Sequence, residues 1–351
     1  MTRTRRSDCS GPGISRRRCG RGFVYLDEHG RRITDGELLT RMSELVIPPA
    51  WRDVWICRDE RGHLQATGFD AAGRKQYLYH PDWRTRRDRQ KFDDMLDFAE
   101  RLPRLRRRVA RELQVDGLDR QRMLACGVRL LDVGCFRVGG EDYVRENGSH
   151  GLTTVRRGHV RRRGEEIVFD YPAKSGQRLL TVVNDRAACA ALDDLLRRRR
   201  AGGDEQLLAY RQGRGWRPLR AEEINVYLKE CLDGDFSAKD FRTWNATVLA
   251  AVALAGTAPA ARTKTARKRA IAAAVRVAAD CLGNTPTVCR ASYIDPRVFD
   301  RFDSGWTLSD PGAGPIDRRL LAQPRRRARI EAGVLDLLTE RATDEVTHLA
   351  A

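Results

Sequence analysis

The sequence predicts an α+β fold, in which a small β-rich N-terminal domain precedes a mostly α-helical domain that contains an antiparallel β insertion. Three observations predict it. Short β-branched and aromatic runs, interrupted by Gly and Asp, occupy residues 23–80; apolar residues recur at helical spacing from residue 83 onwards; and further short strand-like runs follow between residues 153 and 183. A chain of 351 residues has room for two domains and a sizeable core.

Four segments are expected along the chain. Residues 1–22 are rich in Arg, Gly and Ser and predict a flexible basic arm. Residues 23–88 form the β-rich domain, residues 89–310 the mainly helical domain, and residues 311–351 a basic, then amphipathic helical tail. The strands expected in the β-rich domain are 23–26, 54–57, 64–67 and 77–79.

The helical domain is predicted from periodicity and from helix-terminal signals. A helix begins near Trp83, because apolar side chains recur every three or four residues as far as Leu113. Ser237 and Asp240 form a capping box that opens a helix over 238–255, and Thr285 followed by Pro286 predicts another helix start. The remaining predicted helices are 119–135, 186–200, 221–232 and 264–282. The insertion is predicted as consecutive antiparallel strands at 153–155, 159–160, 167–169 and 179–183.

The charge of the chain predicts a polyanionic partner. Lys and Arg number 66 against 48 Asp and Glu, which gives a formal net charge of +18. Such an excess is typical of proteins that bind nucleic acid. The alternative is a basic protein surface without such a partner.

Several classes of protein are not expected. The most apolar stretch, 248–255, is too short to span a bilayer, and no apolar run follows the N-terminal arginines as in a secretory signal. Nine cysteines without a Cys-x-x-Cys pair favour reduced, mostly buried thiols. The histidines have no metal-ligand spacing, so no metal site is predicted, and a P-loop is missing, so no nucleotide cofactor is predicted.

Four residues near predicted turns suggest chemistry when they are taken together. Arg137 closes a helix just before two glycines, Lys174 lies at a predicted hairpin tip, Arg242 lies in the first turns of the capped helix, and Tyr293 follows the last helix start. Each alone has a simpler explanation: a solvated arginine, an exposed lysine without a role, or a half-buried tyrosine. No paired carboxylates, Ser-His-Asp set or Cys-His pair competes with them.

These residue types suit transfer of a phosphodiester. Two arginines can hold the non-bridging oxygens of a pentavalent phosphorus with their planar forks. A tyrosine can attack the phosphorus and keep the bond energy in a phosphotyrosine for resealing. A lysine, provided that burial beside arginines makes it a better acid, can protonate the leaving sugar oxygen. Such a site needs neither a metal ion nor ATP.

At these residues the sequence resembles the type IB DNA topoisomerases, specifically the small bacterial enzymes that are similar to the poxvirus one. The resemblance extends from about residue 23 to residue 310. In the N-terminal part it rests on IPPAW at 47–51, QATG at 65–68 and GRKQY at 73–77. In the helical part it rests on the following strings, which occur in the family's order: FRVG at 136–139, GLTT at 151–154, KSG at 174–176, KDFRTWN at 239–245 and LGNTP at 282–286.

The resemblance implies a role for each of these residues. Tyr293 would be the nucleophile that becomes linked to the DNA 3′ phosphate, and Arg137 and Arg242 would stabilise the transition state. Lys174 would be the general acid for the leaving 5′ oxygen, with Arg137 assisting. Asn284 stands where many relatives have histidine. An asparagine amide can still donate a hydrogen bond to a phosphate oxygen, but it cannot carry charge.

The resemblance also implies the partner and the architecture. The two domains would form a clamp around duplex DNA, and the enzyme would act as a monomer in the cytoplasm, associated with the nucleoid, without any cofactor. The residues expected to contact DNA are Gln65, Lys75, Tyr77, Lys239 and Asn245. Two alternatives remain open. A tyrosine recombinase shares the chemistry but typically has His-x-x-Arg where this chain has Lys239 and Arg242, and a catalytically silent clamp would bind DNA without forming an adduct.

Overall fold

The computed structural model describes residues 3–198, 206–310, 316, 318–341 and 343–348. The chain divides into two compact units, Met1–Asp93 and Asp94–Ala351. The division falls inside a long helix, α2 (Pro81–Leu113), a few residues after the boundary expected at 88/89. The small β-rich N-terminal region and the mostly helical remainder agree with the predicted fold class.

The first unit is a five-stranded antiparallel sheet with one short helix, α1 (Gly36–Glu44). Its strand order is β2-β1-β3-β4-β5. The strands are β1 (Ile14–Cys19), β2 (Gly22–Leu26), β3 (Arg52–Ile56), β4 (Leu64–Phe69) and β5 (Lys75–Tyr79). A small core that includes Ile14, Met42 and Ile56 fills the space between the sheet and α1. The four predicted strands are confirmed.

The prediction of a flexible arm over 1–22 is wrong for the residues that the structure describes. Strand β1 lies between β2 and β3, and Ile14 is buried in the core while the arginines of this strand remain at the surface. Upstream, the backbone of Arg5 pairs with the strand-flanking segment at Gly62, and Ser7 bonds to His63. One buried Ile among so many arginines hides the alternation that marks a strand.

The second unit is built around helices, and the predicted ones are confirmed with small shifts of their ends. Helix α7 (Ala238–Thr257) lies at its centre and is buried along almost its whole length. The other helices are α3 (Arg120–Gly134), α4 (Glu141–Asn147), α5 (Arg186–Arg197), α6 (Ala221–Leu232), α8 (Lys264–Leu282), α9 (Pro286–Ser292), α10 (Arg297–Asp303), α11 (Arg318–Leu321) and α12 (Pro324–Leu338). Within the described ranges, no helix is long and apolar enough to cross a membrane.

The β insertion of this unit is an antiparallel meander of three strands, in the order β6-β7-β8. They are β6 (Val160–Arg163), β7 (Glu166–Pro172) and β8 (Arg178–Val183). Two antiparallel pairs were not predicted: β9 (Ala209–Gln212) with β10 (Gly215–Pro218), and β11 (Trp306–Leu308) with β12 (Val346–His348). The strand expected at 153–155 is wrong. Leu152–Thr154 is a 3-10 turn, because the Thr154 hydroxyl accepts a hydrogen bond from the backbone of Gly151 at 2.9 Å.

The predicted C-terminal tail is wrong as a separate segment, because its helix α12 belongs to the core of the second unit. Arg327 is 2% exposed and pairs with Asp132 of α3 at 2.7 Å and with Glu331 at 2.8 Å. Arg106 of α2 bridges the same two carboxylates. The basic stretch that suggested a solvent-exposed tail therefore includes Arg327, which is buried and forms ion pairs with two carboxylates. Residues 311–315, 317, 342 and 349–351 of the expected tail lie outside the described residues.

Candidate active site

A cavity of about 360 Å³ in the second unit is lined by Arg137, Lys174, Arg242 and Tyr293. These four side chains come from four segments that are far apart in sequence: the end of α3, the β7–β8 turn, the first turns of α7 and the end of α9. The structure therefore brings together the four residues that the sequence suggested separately. His150 and Lys239 also line this cavity.

The guanidinium of Arg242 is held by hydrogen bonds to backbone carbonyls at the C-terminal ends of α3 and α8. Its Nη1 donates to the carbonyl of Cys135 at 2.5 Å, and its Nη2 donates to the carbonyl of Leu282 at 3.0 Å. The last carbonyls of a helix lack partners within the helix, so they are natural acceptors for a guanidinium. The capping box predicted for α7 is present, since the backbone of Ser237 donates to Asp240 Oδ2 at 2.7 Å. Arg242 is only 3% exposed, and its Nε has no hydrogen-bond partner in the described structure.

Arg137 leaves α3 through Cys135, which takes the left-handed conformation with a φ of 55°. Its Nη2 donates to the carbonyl of Gly283 at 3.1 Å and to Oδ1 of Asn284. The pKa of Arg137 is lowered from its ordinary value, chiefly by burial and then by the nearby charge of Arg242. Among the described residues, neither arginine forms an ion pair with a carboxylate, so this end of the cavity has excess positive charge and favours an anion.

Asn284 is hydrogen-bonded to Arg137 and follows Gly283, the left-handed C-cap of α8. Its Oδ1 accepts from Arg137, which leaves the amide nitrogen as the free end of the side chain. That Nδ2 is buried and has no hydrogen-bond partner within the described part of the chain. An unsatisfied buried donor is costly unless a ligand satisfies it.

Tyr293 follows α9 directly and is held by its backbone, whose N–H donates to Cys289 at 2.9 Å. The guanidinium carbon of Arg242 lies 5.2 Å from the centre of its half-buried ring. Two residues further on, the wholly buried Asp295 pairs with Arg297 at 2.8 Å and fixes the chain. No described residue hydrogen-bonds to the Tyr293 hydroxyl, so this group is available to a ligand.

Lys174 begins the 3-10 turn Lys174–Gly176 between β7 and β8, as the hairpin prediction expected. The last pair of the hairpin joins Pro172 to Arg178, so only five residues separate its two arms. Lys174 lines the cavity but is exposed to solvent. The burial beside arginines that would make Lys174 a better acid is not present in this structure.

Two glycines allow the backbone beside Arg137 to pack against the segment that precedes Leu152. Gly139 has a φ of +95°, and a Cβ on Gly151 would lie 2.4 Å from the Gly139 Cα. The N–H of Leu152 donates to the Arg137 carbonyl, and that of Thr153 donates to the Val138 carbonyl, both at 2.8 Å. These bonds fix the backbone from which the Arg137 side chain projects, and a larger residue at either glycine would separate the two segments.

Comparison with known proteins identifies the family. Residues 80–303 match the family described as eukaryotic DNA topoisomerase I, catalytic core, which is more than half of the chain. Residues 22–70 match the family described as bacterial DNA topoisomerase IB, N-terminal domain.

The chain belongs to the type IB DNA topoisomerases.

A curated relative supports this assignment. The chain is 29% identical over 314 residues to the DNA topoisomerase 1B of Acanthamoeba polyphaga mimivirus, which covers 87% of this chain and 92% of the relative. The resemblance found in the sequence motifs is confirmed. A type IB topoisomerase is an isomerase that relaxes supercoiled duplex DNA by transient cleavage of one strand through a 3′-phosphotyrosyl intermediate, strand rotation and religation.

Sequence reasoning missed one residue in the cavity of this topoisomerase. His150 lies in the turn before Leu152, and its backbone N–H donates to the Pro172 carbonyl at 2.8 Å, close to the Lys174 turn. Its Nδ1 lies 2.7 Å from the Thr154 carbonyl, and its ring lies 4.7 Å from that of His159. A single histidine in a loop gives no periodic or spacing signal, so nothing in the sequence alone distinguished it.

Three of the residues expected to bind DNA in this topoisomerase are exposed: Lys75, Tyr77 and Lys239. Lys75 and Tyr77 lie on one face of β5, a strand at the edge of its sheet. The ring of Tyr77 stacks on Tyr79, whose ring in turn stacks on Trp83 with 4.4 Å between centroids. This row of three aromatic rings was not predicted. The alternating pattern of β5 places Tyr77 and Tyr79 on one face of the strand, and Trp83 of α2 extends the row.

The other two expected DNA contacts are wrong. Gln65 is 4% exposed; its Oε1 accepts from Arg41 at 2.9 Å and its Nε2 donates to the Gly62 carbonyl at 2.7 Å. Asn245 is 0% exposed; its Nδ2 donates to the Asp132 carbonyl at 3.0 Å and its Oδ1 accepts from Arg327 at 2.9 Å. Both amides are satisfied inside the protein, because Gln65 lies on a covered strand and Asn245 on the buried helix α7.

Proposed function

We propose that the cavity lined by Arg137, Lys174, Arg242 and Tyr293 is the site of DNA cleavage and religation in this type IB topoisomerase. The observation that carries this proposal is their convergence: a nucleophile, two unpaired guanidinium groups and an amine from four distant segments line one cavity. The excess positive charge around the Tyr293 hydroxyl suits a phosphodiester.

In this proposal the Tyr293 hydroxyl gives its proton to solvent water and its oxygen attacks the scissile phosphorus. The new P–O(Tyr293) bond forms as the bond to the 5′ oxygen breaks, which leaves a 3′-phosphotyrosine and a free 5′ hydroxyl. Arg137 and Arg242 hold the non-bridging oxygens while negative charge grows on them. Lys174, with Arg137 assisting, gives its proton to the departing 5′ oxygen.

Asn284 contributes as a neutral donor. Its Oδ1 orients Arg137, and its otherwise unpartnered Nδ2 donates to a non-bridging phosphate oxygen once DNA is bound.

Religation reverses the same step, with the 5′ hydroxyl as nucleophile and Tyr293 as leaving group. The phosphotyrosine preserves the energy of the phosphodiester, so no nucleotide is consumed and no cofactor is required. Supercoiling stored in the DNA drives rotation of the cut strand between the two steps.

We assign the binding of duplex DNA to both units, which close around it as a clamp, with catalysis in the second unit. Lys75 and Tyr77 of the first unit and Lys239 of the second are the proposed DNA contacts. One chain suffices for the reaction, so the enzyme acts as a monomer, in the cytoplasm and on the nucleoid.

Plasmid relaxation in EDTA and without ATP tests the proposal. We expect the parent to relax a negatively supercoiled plasmid and Tyr293→Phe to leave it supercoiled, because that variant lacks only the attacking oxygen. Tyr25→Phe is the matched control, since Tyr25 packs in the core of the first unit and is expected to relax at the parental rate.

Two results would contradict the proposal. A Tyr293→Phe enzyme that still relaxes DNA would exclude this nucleophile. A parent that binds DNA but neither relaxes it nor forms a covalent adduct would favour the silent clamp, and strand exchange between two sites would favour a recombinase.

A further inference from the structure

A second basic cavity, of about 560 Å³, lies in the first unit and shares no lining residue with the cavity that contains Tyr293. It is lined by two arginines of the N-terminal segment, Arg5 and Arg6, by two of helix α2, Arg86 and Arg87, and by the rings of His63 and Trp83. We call it the arm pocket. Residues before 22 lie outside both family matches, so half of these arginines belong to a part of this chain that the families do not describe.

The N-terminal segment is fixed in place by its backbone rather than by its charges. The N–H of Arg5 donates to the Arg61 carbonyl at 2.8 Å, and the Arg5 carbonyl accepts from His63 at 2.7 Å. The backbone of Ser7 donates to His63 Nδ1 at 2.9 Å, and its hydroxyl donates to the Leu64 carbonyl at 3.1 Å. Arg5 and Arg6 are thus presented on an ordered backbone, which lowers the entropy lost when they bind a ligand.

The pocket has the charge of an anion site. None of the residues that line it is acidic. Two carboxylates outside the lining interact with the N-terminal arginines: Asp59 lies 3.5 Å from Arg5, whose side chain is 72% exposed, and Asp8 interacts with Arg6. Arg86 donates to the Thr4 hydroxyl, and Arg87 lies 5.7 Å from the centre of the Trp83 ring. In these two contacts, neutral groups orient the helix arginines.

The position of the pocket favours the phosphates of DNA over other anions. Its half-buried Trp83 is the last ring of a row that starts with the exposed Tyr77 and Tyr79, and this row begins beside the proposed DNA contact Lys75. A DNA backbone that follows this row reaches the arm pocket next. Four guanidinium groups around one cavity match the charge of consecutive phosphodiesters.

We propose that the arm pocket binds backbone phosphates of the duplex beyond the aromatic row, and that the N-terminal segment thereby lengthens the DNA contact of this enzyme. This inference rests on the proposed DNA binding of the first unit, but it does not depend on the chemistry at Tyr293.

The salt dependence of DNA binding tests the inference. We expect the slope of log affinity against log salt concentration to become shallower by about one to two in Arg5→Ala/Arg6→Ala, since each phosphate contact contributes about 0.9. Arg86→Ala/Arg87→Ala, on the other wall, is expected to show a similar change. Arg17→Ala/Arg18→Ala is the matched control, because it removes the same charge from exposed positions of β1, and its slope is expected to remain parental.

The slopes are measured by fluorescence anisotropy with a labelled duplex, on variants whose melting temperature equals that of the control. Equal losses of slope in all three double variants would show a general charge effect and overturn the inference. Unchanged slopes, with loss of tripolyphosphate binding measured by calorimetry, would assign the pocket to a free polyphosphate instead.

Single-turnover cleavage separates this inference from the proposed function. With saturating DNA at low salt, Arg5→Ala/Arg6→Ala is expected to cleave at the parental rate, because the arm pocket takes no part in the chemistry. If the parent itself fails to cleave, the proposed function fails, and the slopes still decide the role of the pocket. A slower cleavage step in this variant, under saturation, would contradict the inference.

Discussion

The side-chain amide of Asn284 has a hydrogen-bond partner for its oxygen but none for its nitrogen in the described structure, so the nitrogen is the atom available to a ligand. Its oxygen is engaged by Arg137, while its nitrogen is buried without a partner in the described structure. A histidine at this position would combine hydrogen bonding with a titratable charge, whereas the amide offers the hydrogen bond alone.

We therefore expect Asn284→Ala to slow single-turnover cleavage by about 10²-fold, which is the usual effect of removing one donor to a transition-state oxygen. Asn284→His should keep much of the rate and add a titration between about pH 6 and 7 to the rate profile, which the parent lacks from this position. The measurement is covalent adduct formation on a short duplex with one cleavage site. An alanine variant that cleaves at the full rate would contradict this role.

Lys174 lies on the exposed turn between β7 and β8, so its role is tested best through the leaving group. A substrate with sulfur in place of the 5′ bridging oxygen releases a thiolate, which needs no proton. Lys174→Ala is expected to slow cleavage of the oxygen substrate by about 10²–10⁴-fold and to cleave the sulfur substrate at close to the parental rate. Arg242→Ala should slow both substrates, because it acts on the non-bridging oxygens. An equal loss on both substrates in Lys174→Ala would exclude the general-acid role.

Helix α12 is fastened to α2 and α3 by a buried network of charges. Arg327 and Arg106 share Asp132 and Glu331, and Glu331 also accepts from the indole of Trp244 at 2.9 Å. The surrounding arginines hold the pKa of Asp132 and of Glu331 below their ordinary values, against the opposing effect of burial. Removing one partner from such a network leaves an uncompensated buried charge.

We expect Arg327→Ala to lower the free energy of unfolding by about 3–5 kcal/mol. Arg325→Ala, an exposed position on the same helix, should change it by less than about 0.5 kcal/mol. Because the carboxyl pKa values are lower in the folded chain, their stabilisation is present above the ordinary values of 3.8 and 4.5 and is lost as the pH falls below them. Arg327→Ala should begin this acid loss at a higher pH. Denaturant unfolding between pH 3 and 7 measures both effects, and equal stabilities of the two alanine variants would contradict the assignment.

The elements that the sequence predicts well are those whose pattern is local. The helices α2, α3, α7 and α8 follow from apolar spacing and, for α7, from the capping box at Ser237. Strand β1 and the Thr153 turn were missed for opposite reasons. The first is a strand with one buried apolar residue, and the second is a β-branched run in which the Thr153 hydroxyl donates to the Val138 carbonyl and the Thr154 hydroxyl accepts from Gly151. In both cases a tertiary contact overrides the local signal.

At the scale of the whole molecule, the sequence motifs identified the four residues that line the proposed cleavage cavity, but they did not show which residues surround them. Gln65 and Asn245 were placed on DNA because they stand in matching strings, yet each is buried with both amide ends satisfied. A string of matching residues includes those that maintain the fold as well as those that touch a ligand. Burial, which separates the two, depends on packing between segments that are distant in sequence.

The net charge of +18 predicts that the affinity of the whole molecule for DNA depends strongly on salt concentration. If the enzyme neutralises about 6–10 phosphates, its affinity for duplex DNA should fall by about 10³–10⁵-fold between 50 and 200 mM salt. Cleavage of DNA that is already bound should change little over the same range, since the reacting groups stay together. Anisotropy gives the first quantity and single-turnover adduct formation the second. An affinity that is insensitive to salt would contradict phosphate binding as the main source of affinity.

Arg137 and Arg242 face one cavity with neutral carbonyl and amide oxygens as their described hydrogen-bond partners. Two like charges held together in this way repel, and we expect a phosphate bound between them to reduce that repulsion. By mass action, engaged DNA stabilises the fold. We therefore expect the melting temperature of the enzyme to rise with the concentration of bound duplex, and chains bound to DNA to unfold more slowly than free chains.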